Sequence, residues 1–271
     1  MPRKPTKCFI DLGPGDGEKT IIPVQYALES GRYQLVSAVL VDCSDDMLNV
    51  AEKTLQRLSG YMPDKFRIKR FQTLFENLKN DEAFKKFIRE HDIREWLFYG
   101  TTAGNFDPPI LHGILVDNML SGDRAQVGLH LYTEGRDDAI IKSYEGLAMR
   151  DVSFVGLKEL AFADKDKEEM DYYVELTKRE YEEFKEFDLG LLMAIKTFFR
   201  ARKPMERGLV TLKAGDSLQA VLSIKYKEDQ AIKVFEHKGK LVVLNKNGPL
   251  ELLPEYKDDD ISIIYMMKTG G

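Results

Sequence analysis

The sequence predicts an α/β protein built on a doubly wound, mostly parallel sheet, and three observations support this class. Apolar segments of strand length alternate with amphipathic segments of helix length as far as Tyr132. The first apolar segment ends in a glycine-rich turn that opens into a helix. The second ends in an acidic residue, Asp42. In a doubly wound sheet these strand ends meet at one edge, so the sequence predicts a ligand site there.

The stretch 7–20, KCFIDLGPGDGEKT, combines a short buried strand, a turn and a helix start. The turn carries Gly13, Gly15 and Gly17. Glycine tolerates positive φ and lets a ligand lie directly on the backbone. The first N–H groups of the following helix attract negative charge. Asp11 precedes the glycines, and Asp42 ends the next strand, where a carboxylate can accept hydrogen bonds from ribose hydroxyls.

Composition narrows the classes of partner. The 271 residues carry 40 Lys and Arg against 45 Asp and Glu, a net charge of −5, which argues against nucleic acid as a partner. The sequence has no apolar run long enough for a membrane span and no signal-peptide pattern, so we expect a cytoplasmic protein. Cys8 and Cys43 both fall at predicted strands and are expected to be buried thiols. The four histidines have no metal-ligand spacing, so no metal is predicted.

The first half of the chain supplies the predicted sheet. Ser44 has the residue type and position of an N-cap, and Pro108 and Pro109 suit a first helical turn. His130 is expected to be a packed strand residue. The predicted strands are 8–12, 35–41, 65–71, 95–100 and 124–132, and the predicted helices are 18–30, 47–58, 80–90 and 108–120.

The alternation changes after Thr133. Segments 136–149, 178–201 and 228–237 are predicted to be helical, the second because apolar residues are dense from Phe187 to Phe199 and the run FFRARKP resembles a helix end. Predicted strands are 152–162, 169–176, 209–212, 218–226 and 262–267. We therefore expect a core of residues 1–134 and 226–271, with residues 135–225 inserted as an α+β substrate-binding lid.

Several segments together resemble one family, the histidine-specific N-α-methyltransferases of the ergothioneine-pathway type, which use S-adenosylmethionine (SAM). The matching runs are GPGDGEKT, VDCSDDML, FYGTTAGNF and AGDSLQAVLSIKYK, in the family's order over most of the chain. The resemblance implies a class I methyltransferase: a Rossmann-like, seven-stranded, mostly parallel sheet, with SAM as cofactor and an amine of a small amino-acid-like molecule as acceptor.

The resemblance also implies roles for single residues. Gly13 and the turn through Gly17 would line the methionine part of SAM, and Lys19 would pair with its carboxylate. Asp11, which precedes the turn, would also bind the cofactor. Asp42 and the adjacent Cys43 would lie at the ribose. Thr73 or Leu74 stands where the family has an acidic residue that meets the adenine amino group, and Thr73 is assigned to the cofactor.

On the acceptor side, the resemblance implies that Asn105 and Tyr144 hold the acceptor's carboxylate and that Ser223 lies near its side chain. Val221 stands where the family has a glutamate that accepts a hydrogen bond from imidazole. A site that lacks this partner does not select histidine strongly. Relatives also carry a longer segment before the first strand, so a protein partner or a second copy of the chain is expected to complete the lid.

Two other functions fit parts of the sequence. The run NFDPP resembles the loop of methyltransferases that modify amino groups of nucleic acids or of protein glutamine, although Ile110 replaces the aromatic residue. Alternatively, the chain would bind SAM without catalysis, as a sensor or as a subunit of a complex. No catalytic residue is assigned from the sequence.

Overall fold

Strands and helices alternate through the first half of the computed structural model, which describes residues 3–60, 62–99, 102–158, 160–246 and 261–270. Its strands are β1 (Thr6–Leu12), β2 (Leu35–Asp42), β3 (Phe66–Gln72), β4 (Ile93–Phe98), β5 (Arg124–His130), β6 (Met170–Arg179), β7 (Leu192–Ala201), β8 (Met205–Arg207), β9 (Val210–Leu212), β10 (Ser217–Lys225), β11 (Leu241–Lys246) and β12 (Ile261–Lys268). Its α-helices are α1 (Glu18–Glu29), α2 (Asp45–Ser59), α3 (Glu82–Arg89), α4 (Pro108–Asn118), α5 (Asp137–Glu145), α6 (Leu147–Lys158) and α7 (Glu228–Glu236).

Seven strands form one sheet in the order β3-β2-β1-β4-β5-β12-β11. β1 to β5 are parallel, whereas β12 is antiparallel to both β5 and β11. This is a Rossmann-like, seven-stranded, mostly parallel sheet, so the predicted fold class is confirmed. The chain passes from β1 to β2 and β3 on one side and returns to β4 on the other. The carboxyl end of β1 is therefore the topological switch point, where such sheets bind ligands.

Local sequence explains how the helices around this edge begin. Ser44 has an extended backbone conformation at the N-cap position. Its side-chain Oγ accepts a hydrogen bond from the backbone N–H of Met47, which caps α2 as predicted. Asp81 caps α3 in the same way, through Phe84 N–H at 2.9 Å. One apolar face of α2, with Leu48, Ala51 and Leu55 buried, packs into a core cluster with residues of β1 and β2. These contacts hold α2 against the sheet beside the glycine turn.

The chain divides into two compact units, the first comprising residues 1–103, 108–130 and 231–271 and the second residues 104–107 and 131–230. The second unit contains a three-stranded antiparallel sheet in the order β10-β7-β6, the β8–β9 hairpin, and helices α5 and α6. Its core includes Phe154, Phe199 and Met205. The role of this unit as a substrate lid stays a proposal.

The helix predicted over residues 178–201 is wrong. The structure has a 3₁₀ helix at Glu182–Phe187 and then strand β7. β7 is central in its sheet and pairs with β6 and β10, so both of its faces are largely buried and its residues are almost continuously apolar. Such a run does not distinguish a buried strand from a helix. Asp188 and Gly190, both with positive φ, separate the two segments, and FFRARKP is a strand end.

The strand predicted over residues 152–162 is also wrong, because helix α6 covers Leu147–Lys158. Its buried residues Ser153, Phe154 and Leu157 have helical spacing. The single helix predicted over 136–149 is two helices, separated by the extended backbone of Gly146. Strand β11 was not predicted. Gly100 and Thr101, placed at the end of the fourth strand and the start of its loop, lie outside the described residues.

Among the residues that the structure describes, no helix combines the length and the apolar character that a membrane crossing requires.

Candidate functional site

The glycine turn lies at the carboxyl end of β1 and is shaped by backbone hydrogen bonds. Gly13 N–H donates to the carbonyl of Val41 at 2.9 Å, and Gly17 N–H donates to that of Pro14 at 2.9 Å. Gly13, Gly15 and Gly17 have φ of 73°, 58° and 80°, the left-handed region that favours glycine. A Cβ on Gly17 would lie 3.0 Å from the carbonyl oxygen of Ala51, so α1 and α2 approach each other closely there. The turn presents bare backbone at the switch point.

Asp11 lies within β1, one residue before the strand ends, and only 1% of its surface is exposed. The Thr20 hydroxyl donates a hydrogen bond to its Oδ2. Its Oδ1 is buried and has no hydrogen-bond partner among the described residues. Burial raises the pKa of Asp11 to about 7, against the opposing effects of the Thr20 hydrogen bond and of the Lys19 ammonium. The structure thus places an unsatisfied carboxylate oxygen beside the turn.

The start of α1 supplies donors and a cation. Gly17 occupies the N-cap position without a side-chain cap, and the Asp16 carboxylate accepts from Glu18 N–H at 3.1 Å. Lys19, in the first turn, is exposed and makes no ion pair within the described part of the chain. A cation in a helix's first turn opposes the helix dipole, so nothing in α1 itself favours a lysine there.

The ends of β2 and β3 bring three of the predicted residues together. Asp42 is half-buried, and its Oδ1 accepts a hydrogen bond from Ser44 N–H at 2.9 Å, which fixes the carboxylate. The backbone N–H of Thr73 donates to the carbonyl of Asp42 at 2.9 Å, and Cys43 lies between Asp42 and Ser44. Cys43 is exposed, so its predicted burial is wrong: β2 ends at Asp42 and leaves the thiol outside the sheet, whereas Cys8 is buried within β1.

The second unit contains a hydrogen-bonded cluster that joins two predicted acceptor residues. The Tyr144 hydroxyl donates to Ser223 Oγ at 3.1 Å. Tyr144, on α5, is 4% exposed, and Ser223, on β10, is fully buried. The resemblance implies an acceptor-binding role for both residues, and the structure places them in direct contact.

Asn105 follows Gly104, whose backbone lies against β10 beside Ser223. It ends the 3₁₀ helix Thr102–Asn105 and its side chain is exposed. A Cβ on the preceding Gly104 would lie 2.9 Å from the carbonyl oxygen of Ile224 and 3.3 Å from Ser223 Oγ. The loop therefore runs tightly against β10, and only glycine fits at position 104.

Lys225 is a member of the cluster that sequence reasoning missed. Its Nζ donates to the Tyr144 hydroxyl at 2.8 Å and lies 4.9 Å from the centre of that ring. The side chain is 1% exposed, and this burial lowers its pKa to about 7. The available signal was the spacing of Ser223 and Lys225, two residues apart on a strand, which places both on one face.

The histidines make no metal centre in the described part of the chain, where no group of three or more His, Cys, Asp or Glu side chains is placed to hold an ion. His112 and His237 do contact each other, with ring centres 5.4 Å apart, and His112 Nε2 lies 3.1 Å from the carbonyl oxygen of His237. His130 is the last residue of β5 and is half-buried.

No family model matches the sequence, and no curated protein matches it. The chain is similar to a solved S-adenosylmethionine-dependent methyltransferase from Clostridium acetobutylicum, at 14% identity over 97% of this chain and 85% of that one, with a TM-score of 0.47. A SAM-dependent methyltransferase from Methanosarcina mazei gives 10% identity, 100% and 95% coverage, and a TM-score of 0.44. The CcbJ methyltransferase from Streptomyces caelestis gives 9% identity, 98% and 84% coverage, and 0.44.

Proposed function

We propose that this chain is a SAM-dependent methyltransferase that transfers the methyl group to an amine of a small amino-acid-like molecule. One observation carries the proposal: the buried Oδ1 of Asp11 has no partner among the described residues and lies beside a turn of three positive-φ glycines. A buried polar atom without a partner costs free energy. A ligand that brings an ammonium group to this turn, as SAM would, removes that cost.

The other residues at this edge have chemistry that suits the remaining parts of SAM. Lys19, exposed and without an ion pair in the described chain, is proposed to pair with the carboxylate. Asp42, oriented by Ser44 N–H, is proposed to accept hydrogen bonds from the ribose hydroxyls. Cys43 and Thr73, beside it at the ends of β2 and β3, are proposed to lie along the nucleoside. The residues present therefore fit the cofactor.

Methyl transfer from SAM needs little covalent participation by the protein. When bound, SAM would supply a methyl group on a sulfonium, a good leaving centre, to an unprotonated acceptor amine. The protein's part is to orient the acceptor and to exclude water. We assign the acceptor to Asn105, Tyr144 and Ser223, whose amide and hydroxyl groups suit an amino acid's polar end. Because Val221 is apolar, the family's selection of imidazole through a carboxylate is not proposed for this chain.

Calorimetry tests the cofactor assignment. We expect wild-type protein to bind SAM with a dissociation constant of about micromolar size, and Asp42→Ala to weaken binding by roughly tenfold or more, the loss of one or two hydrogen bonds. The matched control is Asp45→Ala, which removes the same charge three residues away, on the exposed first turn of α2. Absence of heat with the wild type, or equal binding by Asp42→Ala, would overturn the assignment.

Methyl transfer tests the acceptor class. With SAM and a mixture of the amino acids, we expect S-adenosylhomocysteine to form and an N-methylated amino acid to be found by mass spectrometry. SAM binding without product from amino acids or other small amines would instead assign the chain as a non-catalytic SAM-binding subunit or sensor. Methyl incorporation into nucleic acid or protein alone would place the acceptor in the macromolecular class.

A further inference from the structure

Three buried side chains of the second unit form a continuous line of hydrogen bonds. It runs from Ser223 Oγ through the Tyr144 hydroxyl to Lys225 Nζ, with heavy-atom distances of 3.1 Å and 2.8 Å. The Ser223 end lies against Gly104, next to the exposed Asn105, and the Lys225 end lies in the interior. The line therefore connects the loop assigned to the acceptor with a buried amine.

Burial makes Lys225 suited to exchange a proton near neutral pH. Desolvation disfavours the ammonium, and the pKa of Lys225 falls to about 7, so neutral and charged forms are both accessible. Burial raises the pKa of Tyr144, which keeps its hydroxyl neutral and able to donate and accept at once. The Tyr172 hydroxyl of β6 also raises the pKa of Tyr144. The pKa of Tyr172 is itself raised, by burial and by the carboxylate of Glu145, the residue after Tyr144 on α5.

We propose that Ser223, Tyr144 and Lys225 form a proton relay that removes the proton from the acceptor's ammonium before methyl transfer. This inference rests on the proposed function, since it supplies the unprotonated amine that the reaction requires. Most amines are charged at neutral pH, and a charged nitrogen has no lone pair with which to attack. A base near the acceptor would therefore raise the reactive fraction.

Each proton that leaves one group of the relay is taken up by the next. The acceptor N–H gives its proton to Ser223 Oγ, Ser223 gives its own proton to the Tyr144 oxygen, and Tyr144 gives its proton to neutral Lys225. The net change is one ammonium converted to an amine and one lysine amine converted to an ammonium. Afterwards Lys225 donates to Tyr144 and Tyr144 donates to Ser223, which are the directions the structure shows. Ser223 contacts the acceptor's ammonium in this relay, and Tyr144 and Lys225 receive its proton through Ser223.

The test is a pH profile of S-adenosylhomocysteine formation from SAM and a mixture of the amino acids. Lys225→Met fills the same buried space without a base, and we expect its kcat to be about 100-fold below wild type at neutral pH. The deficit should shrink as the pH approaches the pKa of the acceptor's own amine, because the solution then supplies the unprotonated form. Tyr144→Phe, which keeps the ring but breaks the line, should show the same recovery.

Tyr173→Phe is the matched control, since its hydroxyl donates to Ser217 Oγ at 3.1 Å and lies outside the relay. It should leave the shape of the pH profile unchanged. A deficit in Lys225→Met that is independent of pH, or no deficit, would overturn the relay while methyl transfer stands. Failure of the wild type to bind SAM in calorimetry, or to turn over at any pH, would overturn the proposed function and the relay with it.

Discussion

The indole Nε1 of Trp96 donates a 2.9 Å hydrogen bond to Oδ2 of Asp123, a carboxylate that is 1% exposed. Arg94 Nε donates to the other oxygen at 2.6 Å, and the backbone N–H of Leu120 donates to Oδ2 at 2.9 Å. Asp123 lies just before β5, and Trp96 and Arg94 lie on β4, its parallel neighbour. One buried carboxylate therefore joins two strands of the central sheet and the chain segment that follows α4.

Asp123→Ala is expected to destabilise the first unit by about 3–5 kcal/mol, because it removes the carboxylate partner of the partly buried Arg94 cation and leaves the buried Trp96 N–H unpaired. Urea unfolding followed by circular dichroism measures the change. Asp117→Ala is the control: Asp117 pairs with Lys79 at 3.0 Å, but both side chains are about half exposed. Its loss should stay within about 1 kcal/mol. Equal effects of the two variants would contradict the role assigned to Asp123.

Gly17→Ala is expected to lower both stability and SAM affinity. A Cβ there would lie 3.0 Å from the Ala51 carbonyl oxygen, on a backbone with φ of 80°. We expect a loss of about 1–3 kcal/mol in the free energy of unfolding and no measurable heat with SAM. Thermal unfolding and calorimetry are the measurements.

Two other glycines separate the causes of that loss. The Cβ added by Gly15→Ala would have no neighbouring atom within 4 Å, so this variant has only the backbone strain of a φ of 58°. It should lower the free energy of unfolding less than Gly17→Ala does. Gly113→Ala, in α4 with no neighbouring atom within 4 Å, should be stabilising by about 0.5–1 kcal/mol. A Gly17→Ala protein as stable as the wild type would show that α1 and α2 do not approach as closely as described.

The edge that carries the glycine turn was predictable because its signals are local. A strand followed by three glycines and a helix start fixes the turn, and Ser44 caps α2 through an atom three residues away. Asp42 follows from the end of β2 in the same way. None of these predictions depends on contacts between segments distant in sequence.

The second unit was harder to predict because its elements are defined by pairing. β7 becomes a strand through its contacts with β6, and the residues 192–201 alone fit a buried helix equally well. Lys225 was missed for the same reason: its partner, Tyr144, is 81 residues away in sequence. The spacing from Ser223 indicates the face of the strand on which Lys225 lies, but only the fold shows that this lysine is buried.

Asp11 is expected to make stability depend on pH. Because burial raises its pKa from its ordinary value near 3.8 to about 7, the folded protein binds more protons than the unfolded chain between about pH 4 and pH 7. The contribution of Asp11 to the free energy of unfolding therefore falls as the pH rises from about 4 to about 7, and it is constant above that range. The difference in unfolding free energy between wild type and Asp11→Asn, measured by urea titration at several pH values, should follow this curve.

Asp16→Asn is the control for Asp11, since Asp16 is exposed on the same turn. Asp16→Asn leaves Asp11 in place and should keep the fall in stability assigned to Asp11 between pH 4 and pH 7. A wild-type curve parallel to that of Asp11→Asn would mean that Asp11 titrates as an ordinary exposed carboxyl, and the buried position assigned to it would then be wrong.

The two cysteines provide a chemical probe of the cofactor assignment. Cys43 is exposed beside Asp42, whereas Cys8 is buried in β1, where desolvation raises its pKa. Since the thiolate is the reactive form, an aromatic disulfide reagent should modify Cys43 quickly and Cys8 only after unfolding. SAM at ten times its dissociation constant should slow the fast phase roughly tenfold, because only the free protein reacts. Absorbance of the released aromatic thiol measures both phases.

Cys43→Ser is the control for this labelling and should lack the fast phase while keeping one reactive thiol after unfolding. If SAM binds in calorimetry and leaves the rate at Cys43 unchanged, the nucleoside does not lie along the end of β2. The roles given to Asp42 and Thr73 would then fail together, because the backbone hydrogen bond between Thr73 and Asp42 places both residues at that same edge.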